Sequence, residues 1–184
     1  MYENLIEEKI GSEEIFNGRL LHVFRDTVSL PNGESSTREF IKHNGAVAVV
    51  PFFDDGTVLM ERQFRYPHNR VVLEIPAGKI DPGEDILVAA NRELREETGL
   101  INAELMPIGE IIPTVAYSTE VIYLFIAKNM TDSGKTDMDD NEFLETEKIH
   151  IDTLFNMIMN NEITDSKSQV AIMKTYFLYH EGKI

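Results

Sequence analysis

The stretch that decides the fold is Gly78-Lys-Ile-Asp81-Pro-Gly-Glu84-Asp-Ile86-Leu-Val-Ala-Ala90-Asn-Arg92-Glu93-Leu94-Arg95-Glu96-Glu97-Thr98-Gly99-Leu100. Its ends carry helix chemistry. Asp81 is the expected N-cap, Pro82 suits the first helical position, and Glu84 stands three residues after Asp81, as in a capping box. Gly83 leaves the start open by a few residues. Gly99 stands where a helix takes a left-handed residue at its C-terminal end. At about 100° per residue, Ile86, Leu87, Ala90 and Leu94 share an arc of roughly 100° that must face a core. Glu97 falls inside that arc and Glu93 about 20° outside it, while Glu96 lies further round towards Arg92. Burial penalises a carboxylate and like charges compound the cost. Acids at a helix C-terminus also oppose its dipole. Arg92, Arg95 and Lys79 could offset this in an ordinary salt-bridged helix. The other explanation is a hard divalent cation. Mg²⁺ typically takes one or two protein carboxylates, with waters and substrate phosphates completing its shell.

Outward from that helix the pattern is mixed. Upstream, Pro31-Asn32-Gly33 separates strand-like runs at 20–30 and 37–42, and Asn44-Gly45 leads into a buried strand at 46–53. Asp54-Asp55-Gly56 turns into a strand at 57–65, followed by a loop at 66–70 and a strand at 71–76. Downstream come strands at 100–112 and 117–127, an exposed loop at 128–141 and a strand at 143–151. Two helices follow, near 153–161 and 166–180, the second with Thr164, Asp165 and Ser166 as candidate caps. The expected class is α/β, or more fully an α+β mixed sheet with helices packed around it in layers. Residues 1–42 read as a strand-rich antiparallel extension too short to hold a core, and 43–184 as one structural unit.

Composition excludes several functions. The 184 residues carry 17 Lys and Arg against 32 Asp and Glu, a formal charge of −15, which argues against a nucleic-acid binder or an anionic-membrane protein. With no Cys there is no thiolate metal site, disulfide or Cys nucleophile. Apolar runs such as 121–127 are strand-length, far below the ~20 residues of a membrane helix. The N-terminal residues lack the basic start and apolar core of a secretory signal, so the expected location is cytoplasmic. The five His residues form no metal-ligand spacing, and neither a Gly-x-Ser-x-Gly elbow nor a P-loop is present.

The 78–100 stretch resembles the signature box of the Nudix hydrolases: Gly, five residues, Glu, seven residues, Arg-Glu-Leu, one residue, Glu-Glu, one residue, Gly, aliphatic. Gly78, Glu84, Arg92-Glu93-Leu94, Glu96-Glu97, Gly99 and Leu100 match it without departure. The resemblance implies the Nudix α/β/α sandwich and hydrolysis of a nucleoside diphosphate linked to another group, with Mg²⁺ or Mn²⁺ as cofactor. It assigns Glu93, Glu96, Glu97 and the carbonyl of Ala77 to the metal, with Glu84 and Arg92 orienting the loop and the helix acids.

The flanks are similar to the ADP-ribose pyrophosphatase branch. Arg38-Glu39-Phe40, the strand after Gly45, Glu61-Arg-Gln-Phe-Arg65-Tyr66 and Leu73-Glu-Ile-Pro-Ala-Gly78 carry this likeness. It implies that Arg65 reaches the substrate's phosphates and that Arg38, Glu39 and Tyr117 shape the substrate site. It also implies a homodimer whose N-terminal strands help close each site, and a catalytic base in the loop after the box. Glu142 is the first choice there, among Asp137, Asp139, Asp140 and Glu145. The branch typically continues Ser-Pro-Gly-Phe-Ser-x-Glu after the box. Here Tyr117, Ser118 and Glu120 fit, but Val115 replaces the proline and Ala116 the glycine. The expectation is therefore ADP-ribose hydrolysis to AMP and ribose 5-phosphate. Broader nucleotide-sugar specificity (ADP-glucose, GDP-mannose) is the second reading, and a catalytically silent nucleotide sensor the third.

Overall fold

The computed structural model describes residues 2–137 and 143–184. Their contacts divide into two units, residues 1–44 with 114–120, and residues 45–113 with 121–184.

The first unit is an antiparallel meander, β1 (Glu8–Asn17), β2 (His22–Ser29) and β3 (Ser35–Lys42), in the order β1-β2-β3. The Pro31-Asn32-Gly33 turn joins β2 to β3, with Gly33 at φ 85° and Asn32 Oδ1 accepting the Glu34 N–H at 3.0 Å. Residues 114–120 attach through a bridge between Ile41 and Ser118. Nearly every side chain of β1 is exposed, including Ile10, Ile15 and Phe16.

The second unit is organised by β4 (Ala46–Pro51), whose six residues are all buried. It pairs in parallel with β10 (Ile122–Lys128) and antiparallel with β7 (Ala77–Lys79), and β9 (Glu104–Ile111) closes the sheet beyond β10. A strand covered on both faces reads as a continuous apolar run, which is what 46–50 shows. The pleat sends alternate residues to opposite faces. Val47 and Val49 meet Ala89, Ala90 and Leu94 of α1 (Ile86–Thr98). Ala48 and Val50 meet Leu154 of α2 (Ile151–Met159) and Ile172 of α3 (Ser166–His180). A second antiparallel sheet, in the order β12-β5-β6, combines β5 (Thr57–Arg65), β6 (Arg70–Glu74) and β12 (Leu144–His150). The result is the expected mixed α/β/α architecture.

Several details differ from the sequence reading, among them two strands it lacks, β1 and β11 (Thr131–Asp132), the latter inside the loop expected at 128–141. Helix α1 begins at Ile86 and its N-cap is Asp85, whose Oδ1 accepts from the N–H of Leu87 at 2.9 Å and of Val88 at 3.3 Å. Asp81 instead opens a tight turn: its carbonyl accepts from Glu84 N–H at 3.0 Å and its own N–H donates to Glu84 Oε2 at 3.0 Å. Gly83, at φ 81°, cannot sit in a right-handed helix. Leu87 is 49 % exposed, and Ala89 takes its place in the core. The 100–112 strand breaks at Asn102, φ 57°, into β8 (Leu100–Ile101) and β9. The strand expected from 117 starts at Ile122, because Thr114–Ser118 is a turn in which the N–H groups of Tyr117 and Ser118 both donate to the Thr114 carbonyl.

Candidate active site

Helix α1 buries a face displaced from the expected one. That face runs from Ala89 to Leu94 and has Glu97 at its centre, with 4 % exposure. Glu93 precedes Glu97 by one helical turn and therefore shares that side. Alanines at 89 and 90 let the helix approach β4 closely.

Glu97 Oε2 accepts the backbone N–H of Ala77 at 2.9 Å, which places β7 directly against the acid. The next residue, Gly78, packs on Glu93 so tightly that a Cβ there would overlap the carboxylate. Arg92 binds the other members of the set. Its Nε and Nη2 donate to Glu84 at 2.8 Å each, and its Nη1 reaches Glu93 at 2.7 Å and Glu96 at 3.2 Å. Nη2 also donates to the Lys79 carbonyl at 3.0 Å. The hydrogen bonds to Glu84 raise the Arg92 pKa above its ordinary value. The same bonds, with the Asp81 N–H adding to them, hold Glu84 down to about 2.

Of the expected ligands Ala77, Glu93, Glu96 and Glu97, Glu97 lies against Ala77 and Glu93 against the next residue, Gly78, while Arg92 links Glu93 and Glu96 to Glu84. Their donors are carboxylate and carbonyl oxygens, the hard set that suits Mg²⁺ or Mn²⁺. The glycine cradle leaves room at Glu93 that no other residue would. Among the described residues no group of three acids or histidines is already gathered around one point; Arg92 holds Glu93 and Glu96 instead. A cation would replace the guanidinium as their counter-charge.

The loop expected to carry the base returns to this helix. Ser133 N–H donates to the Gly99 carbonyl at 2.9 Å and Asp137 N–H to the Glu96 carbonyl at 3.0 Å. Asp139, Asp140 and Glu142 lie outside the described residues. Glu145 lies on β12, in register with Arg62, not in a loop.

The substrate candidates fall in both units. In the first, Arg38 pairs with Glu7, Glu39 accepts from Arg25 at 2.7 Å, and Tyr117 is 58 % exposed with its carbonyl accepting the Ile41 N–H. In the second, Arg65 is bidentate on Glu74, with Nε at 2.6 Å and Nη2 at 2.8 Å. These bonds raise the Arg65 pKa against the cost of burial. Burial pushes the Glu74 carboxyl up, but the bonds from Arg65 and Lys167 outweigh it and the net shift is downward.

Sequence reasoning missed Glu61, Glu74 and Lys167. Glu61 is fully buried and stands opposite Glu74 across β5 and β6. Glu74 does leave a trace in the sequence, an acid inside the apolar run Val71-Val-Leu-Glu-Ile75. Nothing in the sequence singles out Lys167.

Comparison with known proteins bears on the family and the fold. The NUDIX domain profile matches residues 42–168, and a nucleoside diphosphate sugar hydrolase N-terminal domain profile matches 7–41. An ADP-ribose pyrophosphatase of Bacillus subtilis (strain 168) is 36 % identical over 171 residues, covering 92 % of each chain. A methanol dehydrogenase activator of Bacillus methanolicus is 36 % identical over 170 residues, covering 91 % of this chain and 92 % of its own. A solved structure described as an ADP compounds hydrolase superposes with a TM-score of 0.84 over 97 % of both chains at 21 % identity, a likeness of fold.

Proposed function

The chain belongs to the Nudix family, and from that premise we propose that this pyrophosphohydrolase cleaves ADP-ribose to AMP and ribose 5-phosphate with Mg²⁺. The observation that carries the reading is the α1 acid set. Glu97 is buried against Ala77, and Glu93 is seated in the Gly78 cradle with Arg92 as its counter-charge, so carboxylate oxygens of one helix face are gathered beside β7 where a divalent cation would be held. The 36 % identity to the Bacillus subtilis ADP-ribose pyrophosphatase over nearly the whole chain supports the substrate.

Ala77, Glu93, Glu96 and Glu97 would hold the cation. When bound, it neutralises the pyrophosphate and polarises the scissile P–O bond. Arg65 turns its unused N–H groups to a phosphate. Arg92 and Glu84 keep the helix acids and the β7 turn in register. Water attacks one phosphorus, the bridging oxygen leaves with the other phosphate, and the water's proton passes to a base, for which Glu142 is proposed. Arg38, Glu39 and Tyr117 are proposed to contact the rest of the substrate. A homodimer joined through the first unit would cover Ile10, Phe16, Leu20 and Leu21, all more than 40 % exposed here.

The test is kcat/KM for ADP-ribose, ADP-glucose and GDP-mannose. Preference for ADP-ribose by tenfold or more supports the reading. Equal or higher values for another sugar favour the broader specificity that Val115, in place of the expected proline, motivates. Saturable binding with no turnover of any would favour a sensor.

A further inference from the structure

Arg65 must hold its guanidinium in one orientation to meet a phosphate, and the group that fixes it lies on α3. We propose that Lys167, acting through Glu74, is a positioning residue that aims Arg65 at the diphosphate of the substrate; this rests on the phosphate role given to Arg65 above.

Glu74 sits between two cations with its side chain 3 % exposed. On one side it takes Nε and Nη2 of Arg65. On the other, Lys167 Nζ donates to Glu74 Oε2 and lies 3.1 Å from Asp165 Oδ2. The Lys167 side chain is only 10 % exposed. Its position is set by backbone on both sides. Asp165 caps α3 by accepting from Ser168 N–H at 3.0 Å and Ser168 Oγ at 2.6 Å. Ser168 Oγ accepts the Ile75 N–H at 2.9 Å, which ties α3 to the residue after Glu74.

A guanidinium has five N–H donors. Glu74 takes one from Nε and one from Nη2, so the Nη1 pair and the second Nη2 hydrogen remain. One Nη1 hydrogen and the remaining Nη2 hydrogen form the end-on fork that matches a phosphate. Arg65 lines an open cavity of about 490 Å³ with His68, Arg70, Thr164 and Lys167, so the fork has space for an anion.

Lys167 acts on this arrangement in two ways. It clamps Glu74 from behind, leaving the carboxylate one orientation for Arg65 to follow. It also takes up part of the negative charge of Glu74, beside the equally buried Glu61, so that less of the Arg65 charge is spent on its own partner. A buried ion triad is a poor source of stability in itself, since apolar replacements of similar volume are often tolerated. A role in orientation explains its presence better.

The experiment is steady-state kinetics on ADP-ribose with K167M, K167R, R65A and R65A/K167M. K167M is expected to raise KM about tenfold with kcat within about threefold, and K167R to restore most of KM. In the R65A background K167M should add nothing to KM, because the coupling runs through Arg65. A purely structural role would lower kcat through loss of folded enzyme, leave KM unchanged and give the same change in both backgrounds. Unchanged KM in K167M with a raised KM in R65A overturns the proposal and leaves Arg65 in its role. Unchanged KM in R65A overturns the role of Arg65 and the proposal with it. If K167M does not fold, E74Q/K167M removes both charges at nearly constant volume. Its KM must then rise as in R65A, and a wild-type KM overturns the proposal.

Discussion

Replacing Glu97 by glutamine separates chemistry from folding more sharply than any other change at this site. Glu93, Glu96 and Glu97 of α1 lie near one another, with Glu84 before the helix, and Arg92 and Arg95 pair with Glu84, Glu93 and Glu96. The glutamine side chain keeps an oxygen for the Ala77 N–H now bound at 2.9 Å and keeps the volume at a position 4 % exposed. It also removes one like charge. Stability should therefore change by less than about 1 kcal/mol, in either direction. Catalysis should not survive. A metal ligand supplies several kcal/mol of charge stabilisation in the transition state. A loss of about 4 kcal/mol lowers kcat about 10³-fold. The assay is AMP release from ADP-ribose in saturating Mg²⁺, paired with thermal unfolding in EDTA. A variant that melts with the wild type and is nearly inactive agrees with the assignment. A variant within about threefold of the wild-type rate refutes it.

Other consequences follow from the same contacts. Gly78→Ala should push the Glu93 carboxylate out of place and raise the Mg²⁺ concentration needed for half-maximal rate by tenfold or more, read from a Mg²⁺ titration. Leu94→Ala empties a position with no exposure under β4 and should cost about 3 kcal/mol in urea unfolding, within the ~2–5 kcal/mol range for such truncations. The carboxyl of Glu84 is held down to about 2 from an ordinary 4.5, chiefly by Arg92, so the ionised form is favoured in the folded state. Its contribution to stability is complete above about pH 4.5 and is lost as pH falls from there towards 2. Glu84→Gln should flatten the acid side of the stability–pH profile in that window. Glu142→Gln should lower kcat by about 10²–10⁴ if Glu142 is the base, with Mg²⁺ binding retained in calorimetry.

The order of elements was legible because short-range signals decided it. Val47 and Val49 alternate with Ala48 and Val50 in a run whose length and composition mark a covered strand, and Gly99 ends α1 with the expected left-handed residue, φ 73°. The acid face of α1 was legible because 100° per residue puts Glu97 among the apolar side chains. The start of α1 was not. Asp81, Pro82 and Glu84 have cap chemistry, but Gly83 takes a left-handed conformation and hands the cap to Asp85. The buried arc of α1 also differs from the expected one: it passes through Ala89, Ala90, Leu94 and Glu97 and leaves Leu87 exposed. Strand β1 was hidden because Glu8–Asn17 buries almost nothing and so shows no alternation. The partnership of Glu74 with Lys167 was hidden for a different reason. It joins residues 93 apart in the chain, and such a contact leaves no local pattern.

Hydrolysis of the diphosphate of ADP-ribose by the α1 acids and a divalent cation is tested most directly by its products. The measurement is the quantity of AMP and ribose 5-phosphate formed from ADP-ribose by the purified protein in Mg²⁺, with an EDTA control. Equal amounts of the two products in Mg²⁺ and none in EDTA are predicted; undiminished turnover in EDTA, or products split elsewhere than at the pyrophosphate, would contradict it.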